Sequence, residues 1–451
     1  MFWLEDPDRP EVAEPLVGHT RADLVVVGGG YTGLWTALRA KERTPERDVV
    51  LLEAGRCGDQ ASGRNGGFAA ATLTHGFGNG RARWPEELAE LDRIGAENLR
   101  AIGETVRRYD IDCRWETTGE LTVATAPHQV TELAELAGDM QAAGHDVRLL
   151  DESGTRAEVA SPTYLAGLLD PHGVALAEPA RLAWGLRRAC LEHGVRIHEQ
   201  TPVTGLARAG AGMVVRARHG SVRAGRAALA TNAFPSLLRR LRLMTVPVYD
   251  HVLMTEPLND DQRAAVGWTG RRGVGDAANL FHYYRLTRDG RILWGGYDAV
   301  YHYGSRIHRD LEQRERTHRL LAEHFFTTFP QLEGLRFSHR WGGVIDTSTR
   351  FAAFFGRGYD GLVAYALGYT GLGVAATRFG ADVMLDLLGG EETERTRLRM
   401  VRETPLPFPP EPLRFAGVQL TRWASARADA QQGRRNLWLR SLDRMGLGFD
   451  S

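Results

Sequence analysis

The chain has 451 residues, of which 43% are hydrophobic and 25% are charged, an ordinary globular composition whose length predicts two interlocked domains. The formal net charge is zero, which argues against proteins that bind nucleic acid or anionic membranes through their overall field. Three dispersed cysteines (Cys57, Cys113, Cys190) predict neither a zinc site nor a disulfide framework, and no apolar stretch predicts a signal peptide or a membrane span, so we expect a cytoplasmic protein.

The first elements of the chain follow the order strand, turn, helix and strand. Residues 1–21 form a Pro-rich lead-in that we expect to be irregular. The β-branched run from Leu24 to Val27 predicts a buried parallel strand, and a glycine-rich turn and a helix from Leu34 to Arg43 follow it. Residues 49–52 predict a second buried strand. This order is typical of a Rossmann βαβ unit.

The rest of the chain alternates between helices and strands without an internal repeat. The pattern predicts helices over 85–108, 129–144, 181–193, 307–329 and 374–388. It predicts strands near 195–197 and 227–231, and half-exposed strands over 245–255 and 291–297. Residues 391–402 read as a charged linker, residues 405–412 are Pro-rich, and the Arg-rich tail after them is weakly helical.

The glycine-rich turn carries the spacing of a dinucleotide-binding site at Gly28, Gly30 and Gly33. The spacing recurs at residues 356–361, which read as a hairpin turn, and at residues 273–278, which follow no predicted strand. Only the first occurrence has a strand before it, a helix after it and an acidic residue, Glu53, 20 positions beyond its last glycine. The glycines permit the tight turn and the close approach of the pyrophosphate, and Glu53 can accept hydrogen bonds from ribose hydroxyls.

A second glycine-rich loop, Ala61-Ser62-Gly63-Arg64-Asn65-Gly66-Gly67, follows Glu53 and bears on the choice between NAD and FAD. Such a loop can run along a pyrophosphate and over a flavin ring, with Ser62 and backbone amides as donors. A plain surface loop is the alternative. We interpret the pair of loops as a site for FAD.

The order of the motifs GGGYTG, LLEAG, ASGRNGG, ATNA and GYTGLG resembles the D-amino-acid oxidase superfamily over residues 22–390. The resemblance is to the branch typified by glycine oxidase and sarcosine oxidase, and ASGRNGG is a mark of its gamma-glutamylputrescine oxidase type. It implies an α/β fold in which a Rossmann-like FAD-binding domain of the glutathione-reductase type is interleaved with an α+β substrate domain built on an antiparallel sheet. The implied domains are 22–78, 176–235 and 335–390 for FAD, 79–175 and 236–334 for substrate, and 391–451 as a C-terminal extension.

The resemblance also implies which residues hold FAD. In that family the segment at Val203 contacts the adenine, the strand end at residues 230–233 closes over the pyrophosphate, and the turn at residues 368–373 lies beneath the flavin ring. The predicted cofactor-binding residues are Gly28, Gly30, Tyr31, Thr32, Gly33, Glu53, Ala54, Ser62, Gly63, Arg64, Asn65, Gly66, Val203, Thr231, Asn232, Gly343, Thr370, Gly371, Leu372 and Gly373.

Several functional positions of the sarcosine type are changed in this chain. Gly343 stands at the position of a cysteine that tethers FAD, so we expect non-covalent FAD. Lys41, the one lysine of the chain, lies on the Rossmann helix and cannot replace the lysine that helps oxygen to react. Ala71 and Ala375 stand at the carboxylate-holding positions, which favours a simple amine over an α-amino acid.

The predicted substrate domain supplies an aromatic set that could surround an amine: Tyr249, His251, His282, Tyr283, Tyr284, Trp294 and Tyr297. The predicted catalytic residues are Tyr249, His251, Tyr284 and Trp294, with His251 as a base or as a group that orients the substrate. The alternative for each is a place in the core. Arg285 could hold a distal acidic group, although a surface ion pair is its ordinary role.

The sequence therefore predicts an FAD-dependent oxidoreductase that removes a hydride from a carbon bonded to nitrogen, passes it to flavin N5 and leaves an imine to be hydrolysed. The electron acceptor is oxygen or another molecule. One alternative is a flavin-dependent dehydrogenase or monooxygenase that uses an acceptor other than oxygen. A second alternative is a non-enzymatic flavoprotein that serves as a partner subunit.

Overall fold

The computed structural model describes residues 1–448 and contains two large sheets and one small one. Its strands are β1 Gly18–Val27, β2 Val49–Leu52, β3 Phe68–Ala70, β4 Glu120–Ala124, β5 Arg148–Leu150, β6 Ala166–Asp170, β7 Val174–Leu176, β8 Arg196–His198, β9 Val203–Ala209, β10 Gly212–Ala217, β11 Gly220–Leu229, β12 Thr245–Thr255, β13 Gly273–Asp276, β14 His282–Leu286, β15 Ile292–Gly296, β16 Val300–Tyr301, β17 Phe337–Ser348, β18 Phe354–Gly358 and β19 Val363–Leu367.

The helices lie between the strands and after the last of them. They are α1 Tyr31–Arg43, α2 Ala61–Arg64, α3 Phe77–Arg83, α4 Leu88–Arg108, α5 Pro127–Ala142, α6 Glu152–Glu158, α7 Pro179–Glu192, α8 Asp260–Val266, α9 Glu315–Thr328, α10 Gly373–Gly389, α11 Glu394–Arg397, α12 Arg399–Arg402, α13 Leu413–Ala430 and α14 Leu437–Arg444.

The first sheet contains the predicted parallel strands. Its order is β18-β19-β11-β1-β2-β8, and β8, β2, β1, β11 and β19 are parallel. The β-branched strands β1 and β2 are buried on both faces where they pair, as parallel strands are. Helices α1, α7 and α10 cover one face, and the meander β9-β10 pairs with β11. This sheet confirms the Rossmann-like unit.

The second sheet is mostly antiparallel, and its order is β16-β12-β15-β14-β13-β4-β6-β5, with β17 paired to β12. Helix α9 packs against one face over β12 and β15, with Leu321 and Phe325 buried in the core. The opposite face looks toward the first sheet and borders the cavity described below. The α/β fold with a second antiparallel sheet is therefore confirmed, whereas the predicted domain boundaries stay a prediction.

Three local predictions need correction. The lead-in is not irregular throughout, because β1 begins at Gly18 and pairs there with Gly220. The stretch 391–402 is not a plain linker: it forms α11 and α12, and Met400 and Val401 are buried. Strands β12 and β15 are largely buried rather than half-exposed, because α9 covers one face and the cavity side is covered as well.

Other predictions agree with the structure. Residues 356–361 form the hairpin between β18 and β19, and the Arg-rich tail forms the helices α13 and α14. Within residues 1–448, none of the helices has the length and apolarity needed to span a bilayer.

Candidate functional site

A single cavity of about 1460 Å³ runs between the two sheets. This volume exceeds the ~300–1,000 Å³ of an ordinary small-molecule site, so it suits a dinucleotide together with a substrate. One end is lined by the glycine-rich turn after β1, and the other by the second sheet and by the C-terminal helices. The predicted cofactor and substrate regions thus share one space.

The turn after β1 has the geometry that its glycines predict. Gly28 has φ +113°, and a Cβ there would lie 2.3 Å from the Ala230 carbonyl oxygen. A Cβ on Gly33 would lie 1.8 Å from the Gly28 carbonyl oxygen, so the third glycine lets α1 pack on the turn. Gly30 lines the cavity just before α1, so the helix N-terminus with its free N–H groups borders that space.

Glu53 lies at the end of β2 and is fixed by backbone donors. Its two carboxylate oxygens accept from Gly29 N at 2.6 Å and from Gly55 N at 2.7 Å. Burial raises the pKa of this carboxyl, although both N–H donors act to lower it. Nearby, the Thr231 hydroxyl is buried in the cavity wall and has no hydrogen-bond partner among residues 1–448. Both groups remain available to ribose or phosphate oxygens.

The loop at residues 60–67 is held by α1 on one side and by β17 of the second sheet on the other. Ser62 Oγ accepts from Tyr31 N at 2.9 Å, which joins the loop to the first turn of α1. Asn65 Nδ2 donates to the Ala61 carbonyl at 2.9 Å, and Trp341 Nε1 donates to the Arg64 carbonyl at 2.8 Å. The loop is therefore a preorganised wall of the cavity rather than a free surface loop.

A second helix N-terminus meets the cavity at the turn before α10. Gly368 and Gly371 both have positive φ, at +76° and +93°, and Gly371 borders the cavity. Asp346 on β17 accepts from Gly368 N, and the Asn232 amide, oriented as a donor, reaches the same carboxylate at 2.8 Å. Burial raises the pKa of Asp346 to about 7. This bond network joins two segments that are 114 residues apart in sequence.

The structure brings the predicted cofactor residues together. The cavity wall contains Gly28, Gly30, Tyr31, Thr32, Glu53, Ala54, Ser62, Arg64, Asn65, Gly66, Val203, Thr231, Asn232, Gly343, Thr370, Gly371, Leu372 and Gly373. Gly33 and Gly63 stand behind the wall, because each lies against a backbone carbonyl where a Cβ does not fit. The glycine cradle, the two helix N-termini and the unpartnered Thr231 hydroxyl fit FAD.

Three of the four predicted catalytic residues do not line the cavity. His251, Tyr284 and Trp294 are at most 1% exposed and pack on the α9 side of the second sheet. Burial and the neighbouring His318 ring lower the pKa of His251 to about 4. Tyr249 does line the cavity, although its hydroxyl is hydrogen-bonded to the backbone of His308. The prediction that His251, Tyr284 and Trp294 surround a substrate is therefore wrong, because their side chains point to the α9 side. The residues just before His251 and Tyr284 in sequence face the cavity instead.

The cavity face of the same strands presents a pair that sequence reasoning missed. The Tyr283 hydroxyl donates to Asp250 Oδ2 at 2.5 Å, and both residues line the cavity. Asp250 Oδ1 accepts from His251 N at 2.9 Å. Burial raises the pKa of Asp250 to about 6. Tyr283 also lies against Gly66 of the loop at residues 60–67, where a Cβ would be 2.7 Å from its ring.

The remaining aromatic candidates divide between the two faces. Tyr283 and Tyr297 border the cavity, whereas His282 does not. His282 instead bonds to Asp276 at 2.6 Å and to His324 at 2.9 Å.

Arg285 and Lys41 do not point into the cavity. Arg285 is 1% exposed and donates to the Ala177 carbonyl at 2.7 Å, so it is neither a surface ion pair nor a ligand-binding group. Lys41 lies at the end of α1 and donates to the Arg47 carbonyl at 3.0 Å. Of the two carboxylate-holding positions, Ala71 lines the cavity and Ala375 does not.

The C-terminal extension closes the end of the cavity that borders the second sheet. It contributes residues from the Pro-rich stretch 406–409, from α13 and from α14 to the wall. Asp429 anchors it by accepting from Asn279 N at 2.9 Å and from Leu280 N at 3.1 Å. Glu411 anchors its start by accepting from the Tyr301 hydroxyl at 2.5 Å. The sequence offered no signal for this role beyond the composition of the tail.

Comparison with known proteins agrees with this geometry. A family model described as FAD dependent oxidoreductase (DAO) matches residues 23–387. Gamma-glutamylputrescine oxidoreductase of Escherichia coli K12 is 35% identical over 377 residues, which cover 82% of this chain and 84% of that protein. Sarcosine oxidase subunit beta of Rhodobacter capsulatus is 24% identical over 72% of this chain and 75% of its own. Among solved structures, glycine oxidase from Bacillus cereus has a TM-score of 0.69 at 18% identity, covering 85% of this chain and 98% of that one.

Proposed function

This chain belongs to the DAO family of FAD-dependent oxidoreductases, and on that premise we propose that it oxidises the C–N bond of a small amine. The observation that carries the proposal is that one cavity joins the dinucleotide turn at Gly28 and Gly30 to the Asp250–Tyr283 pair. The name of the relative at 35% identity, which refers to a putrescine derivative, supports an amine.

We propose that FAD lies along the wall formed by the predicted cofactor residues. Glu53 takes the ribose, the N-terminus of α1 takes the pyrophosphate, and Thr231 supplies a hydroxyl. Binding is non-covalent in this proposal, because Gly343 has no side chain and none of the three cysteines borders the cavity. Cys57, the nearest to the turn, lies against Gly29 outside the wall.

Bound FAD supplies a two-electron acceptor for the hydride on the carbon next to nitrogen. The protein must present the amine in its neutral form, because a protonated nitrogen has no lone pair to form the imine. Asp250, with a pKa raised to about 6, lines the cavity and can accept that proton. Tyr283, bonded to Asp250, orients the carboxylate. Water then adds to the imine carbon, and the C–N bond breaks to give a carbonyl compound and a free amine or ammonia.

The cavity wall favours an amine over a free α-amino acid, because its arginines are already paired and cannot bind a substrate carboxylate. Each of the three arginines there already has an acidic partner: Arg64 with Glu312 at 2.6 Å, Arg414 with Glu411 at 3.4 Å and Arg422 with Asp298 at 3.1 Å. The Ala71 side chain offers no positive charge to a substrate carboxylate. Burial of that carboxylate without a cationic partner would be costly.

The identity of the molecule that reoxidises the flavin is a separate question from the substrate. One observation favours an acceptor other than oxygen. Superoxide formed beside a flavin is stabilised by a nearby cation. Lys41 is remote from the cavity, and the three arginines in the wall are paired. We therefore propose slow reoxidation by air and faster reoxidation by a quinone or dye.

Anaerobic mixing of the holoenzyme with amines tests the proposal. We expect a primary or secondary amine to bleach the flavin absorbance, and sarcosine, glycine and proline to fail at micromolar concentration. Bleaching by those amino acids alone would contradict the substrate class. A flavin that stays oxidised with every amine and amino acid would favour a non-enzymatic role instead. Admission of air, or of a quinone, to the bleached sample then separates the two classes of acceptor.

A further inference from the structure

Glu120 begins β4 on the cavity face of the second sheet. In the strand register it lies opposite Asp170 on β6 and opposite Gly273 on β13. Two residues further, Thr122 points to the same face, and Glu120, Thr122 and Asp170 all line the cavity. The intervening Leu121 is buried in the core on the other face. The Glu120 carboxylate is thus directed to the cavity by strand geometry.

Glu120 differs from every other carboxylate that lines the cavity, because it has no hydrogen bond or ion pair among residues 1–448. The others have a backbone donor, a tyrosine, an amide or a histidine as partner. They are Glu53, Asp92, Asp146, Asp170, Asp250, Asp276 and Asp346.

Within residues 1–448, each arginine that lines the cavity already has an acidic partner, so none is free to balance this group. The arginines of the cavity wall pair with Glu312, Glu411 and Asp298. Burial, together with the neighbouring Asp170 carboxylate, raises the pKa of Glu120 to about 7. The Glu120 side chain is partly buried in the cavity wall, and a carboxylate there without a protein partner is stabilised by a bound cation.

An open path leads from the Asp250–Tyr283 pair to Glu120. Gly275 on β13 pairs with Tyr283 on one side and with Thr122 on the other. A Cβ built on Gly275 would meet nothing closer than Glu120 Oε1 and the His282 carbonyl, both at 3.8 Å. Adjacent strands lie about 4.8 Å apart, so β4 is about 10 Å from β14, a span that a short alkyl chain bridges. The apolar residues Phe68 and Leu168 flank this path.

We propose that Glu120 binds a second cationic group of the substrate, so that the enzyme acts on an amine that carries another protonated nitrogen a few methylenes away. This inference rests on the proposed function, because it assumes that the first nitrogen is oxidised beside Tyr283. The carboxylate sets specificity and takes no part in the chemical step. Gly275 leaves room for the methylene chain.

The test compares 1,4-diaminobutane with butylamine on the holoenzyme, without oxygen. We expect the diamine to reach half-maximal flavin reduction at about ten- to hundredfold lower concentration than the monoamine, the strength of one charged hydrogen bond. In Glu120→Gln this difference should shrink to less than threefold through weaker diamine binding, while the maximal rate and the butylamine response stay as they were. Glu104→Gln, which removes an exposed acidic group without a partner among the described residues, is the matched control.

A second variant keeps the proposal testable if Glu120→Gln does not fold. Gly275→Val leaves the carboxylate and obstructs the path, so it should also weaken the diamine selectively. Equal response to the two amines in the unmodified protein, or an unchanged preference in both variants, would overturn the inference. If neither amine bleaches the flavin, the proposed function fails separately, and calorimetric binding of 1,4-diaminobutane decides the Glu120 site: loss of binding in Glu120→Gln supports it, and no binding to the unmodified protein overturns it.

Discussion

At the scale of the residue, Gly30 is the position where one side chain decides whether the turn can hold a dinucleotide. It lines the cavity, and a Cβ there would lie 2.9 Å from Ser62 Oγ, which caps the first turn of α1. We expect Gly30→Val to lose at least about ninety per cent of its FAD while the protein stays folded, because the added methyl groups occupy the phosphate position. The ratio of flavin to protein absorbance measures the loss.

Gly205→Val is the matched control for that substitution. Gly205 lies on β9, and a Cβ there would have no neighbour within 4 Å. The control should purify with full flavin. A Gly30→Val protein that folds with as much flavin as the control would show that the pyrophosphate does not lie at this turn.

Asp250 and His251 are adjacent in sequence, but we expect their substitution to have different effects on the reaction rate. The Asp250 carboxylate lines the cavity, whereas both ring nitrogens of His251 are buried without a hydrogen-bond partner among the described residues. We expect Asp250→Asn to lower kcat/KM by about a hundredfold or more, the usual contribution of a positioned base. We expect His251→Gln to alter stability more than rate. The pair of variants is its own control.

The pH dependence of the same reaction has a definite sign. Only the ionised form of Asp250 accepts a proton, so kcat/KM should fall as the pH drops through about 6, the raised pKa of this group. Asp250→Asn should lack this acid limb, and Tyr283→Phe should shift it, because the Tyr283 hydroxyl bond favours the carboxylate form. An acid limb that persists unchanged in Asp250→Asn would assign it to another group.

At the scale of the element, α13 and α14 lie beyond the family match and add a wall to the cavity next to the second sheet. The family model ends at residue 387, and the extension returns to border the cavity with Thr421 and Trp438. Its own apolar cluster is small and centred on Ala424, Ala428 and Leu439. Its contacts with the rest of the chain are both polar, through Asp429, and aromatic, through the Phe415 ring against Tyr301. Peripheral elements open more readily than the central sheets of a domain.

Asp429→Ala tests that attachment. The change removes the acceptor for Asn279 N, Asn279 Nδ2 and Leu280 N, and we expect docking of the extension to weaken by about 2 kcal/mol. Hydrogen exchange in α13 should accelerate, and KM for the amine should rise. Arg434→Ala, at an exposed side chain on the same extension, should change neither. Unchanged exchange in Asp429→Ala would mean that apolar packing alone holds the helices.

Helices and strands were predictable where the local sequence has a clear hydrophobic periodicity. The β-branched runs of β1 and β2 and the amphipathic stretch of α4 lie where the sequence places them. The face of a buried strand was not predictable: β12 and β14 are apolar or aromatic on both sides, so alternation could not show that Tyr283 and Asp250, rather than His251 and Tyr284, face the cavity. That choice depends on where α9 packs, a contact between distant segments.

At the scale of the whole molecule, the mode of flavin binding can be measured by destroying the fold. We expect acid or heat denaturation to release all the flavin as free FAD, because in our proposal a glycine cradle, helix N-termini and Glu53 hold it and no covalent bond does. Flavin fluorescence of the supernatant and colour of the pellet report the two fractions. Yellow colour that stays with the precipitated protein would contradict the proposal, and mapping of the labelled peptide would identify the linked residue.

The geometry of the glycine-rich turn was largely predictable, and the opposite wall of the cavity was not. Gly28, Gly30 and Glu53 lie in one continuous βαβ unit, so their spacing fixes their relative position. Glu120 and the extension reach the cavity through contacts between segments far apart in sequence, such as Glu120 with Gly273 and Asp429 with Asn279, which no spacing rule describes. The Glu120 signal, an acidic residue heading an apolar strand, is common on ordinary surfaces.

The separate origin of the substrate wall affects how such an enzyme can diversify. The residues that we propose for the dinucleotide all lie within the family match, whereas Arg414, Thr421, Arg422 and Trp438 of the cavity wall come from the chain beyond it. Mutations confined to the codons for this C-terminal segment can therefore change one wall of the cavity and leave the proposed flavin-binding residues unchanged. If the proposed function holds, exchange of this segment between homologues is expected to change the preference among amines and to leave the flavin content as it was.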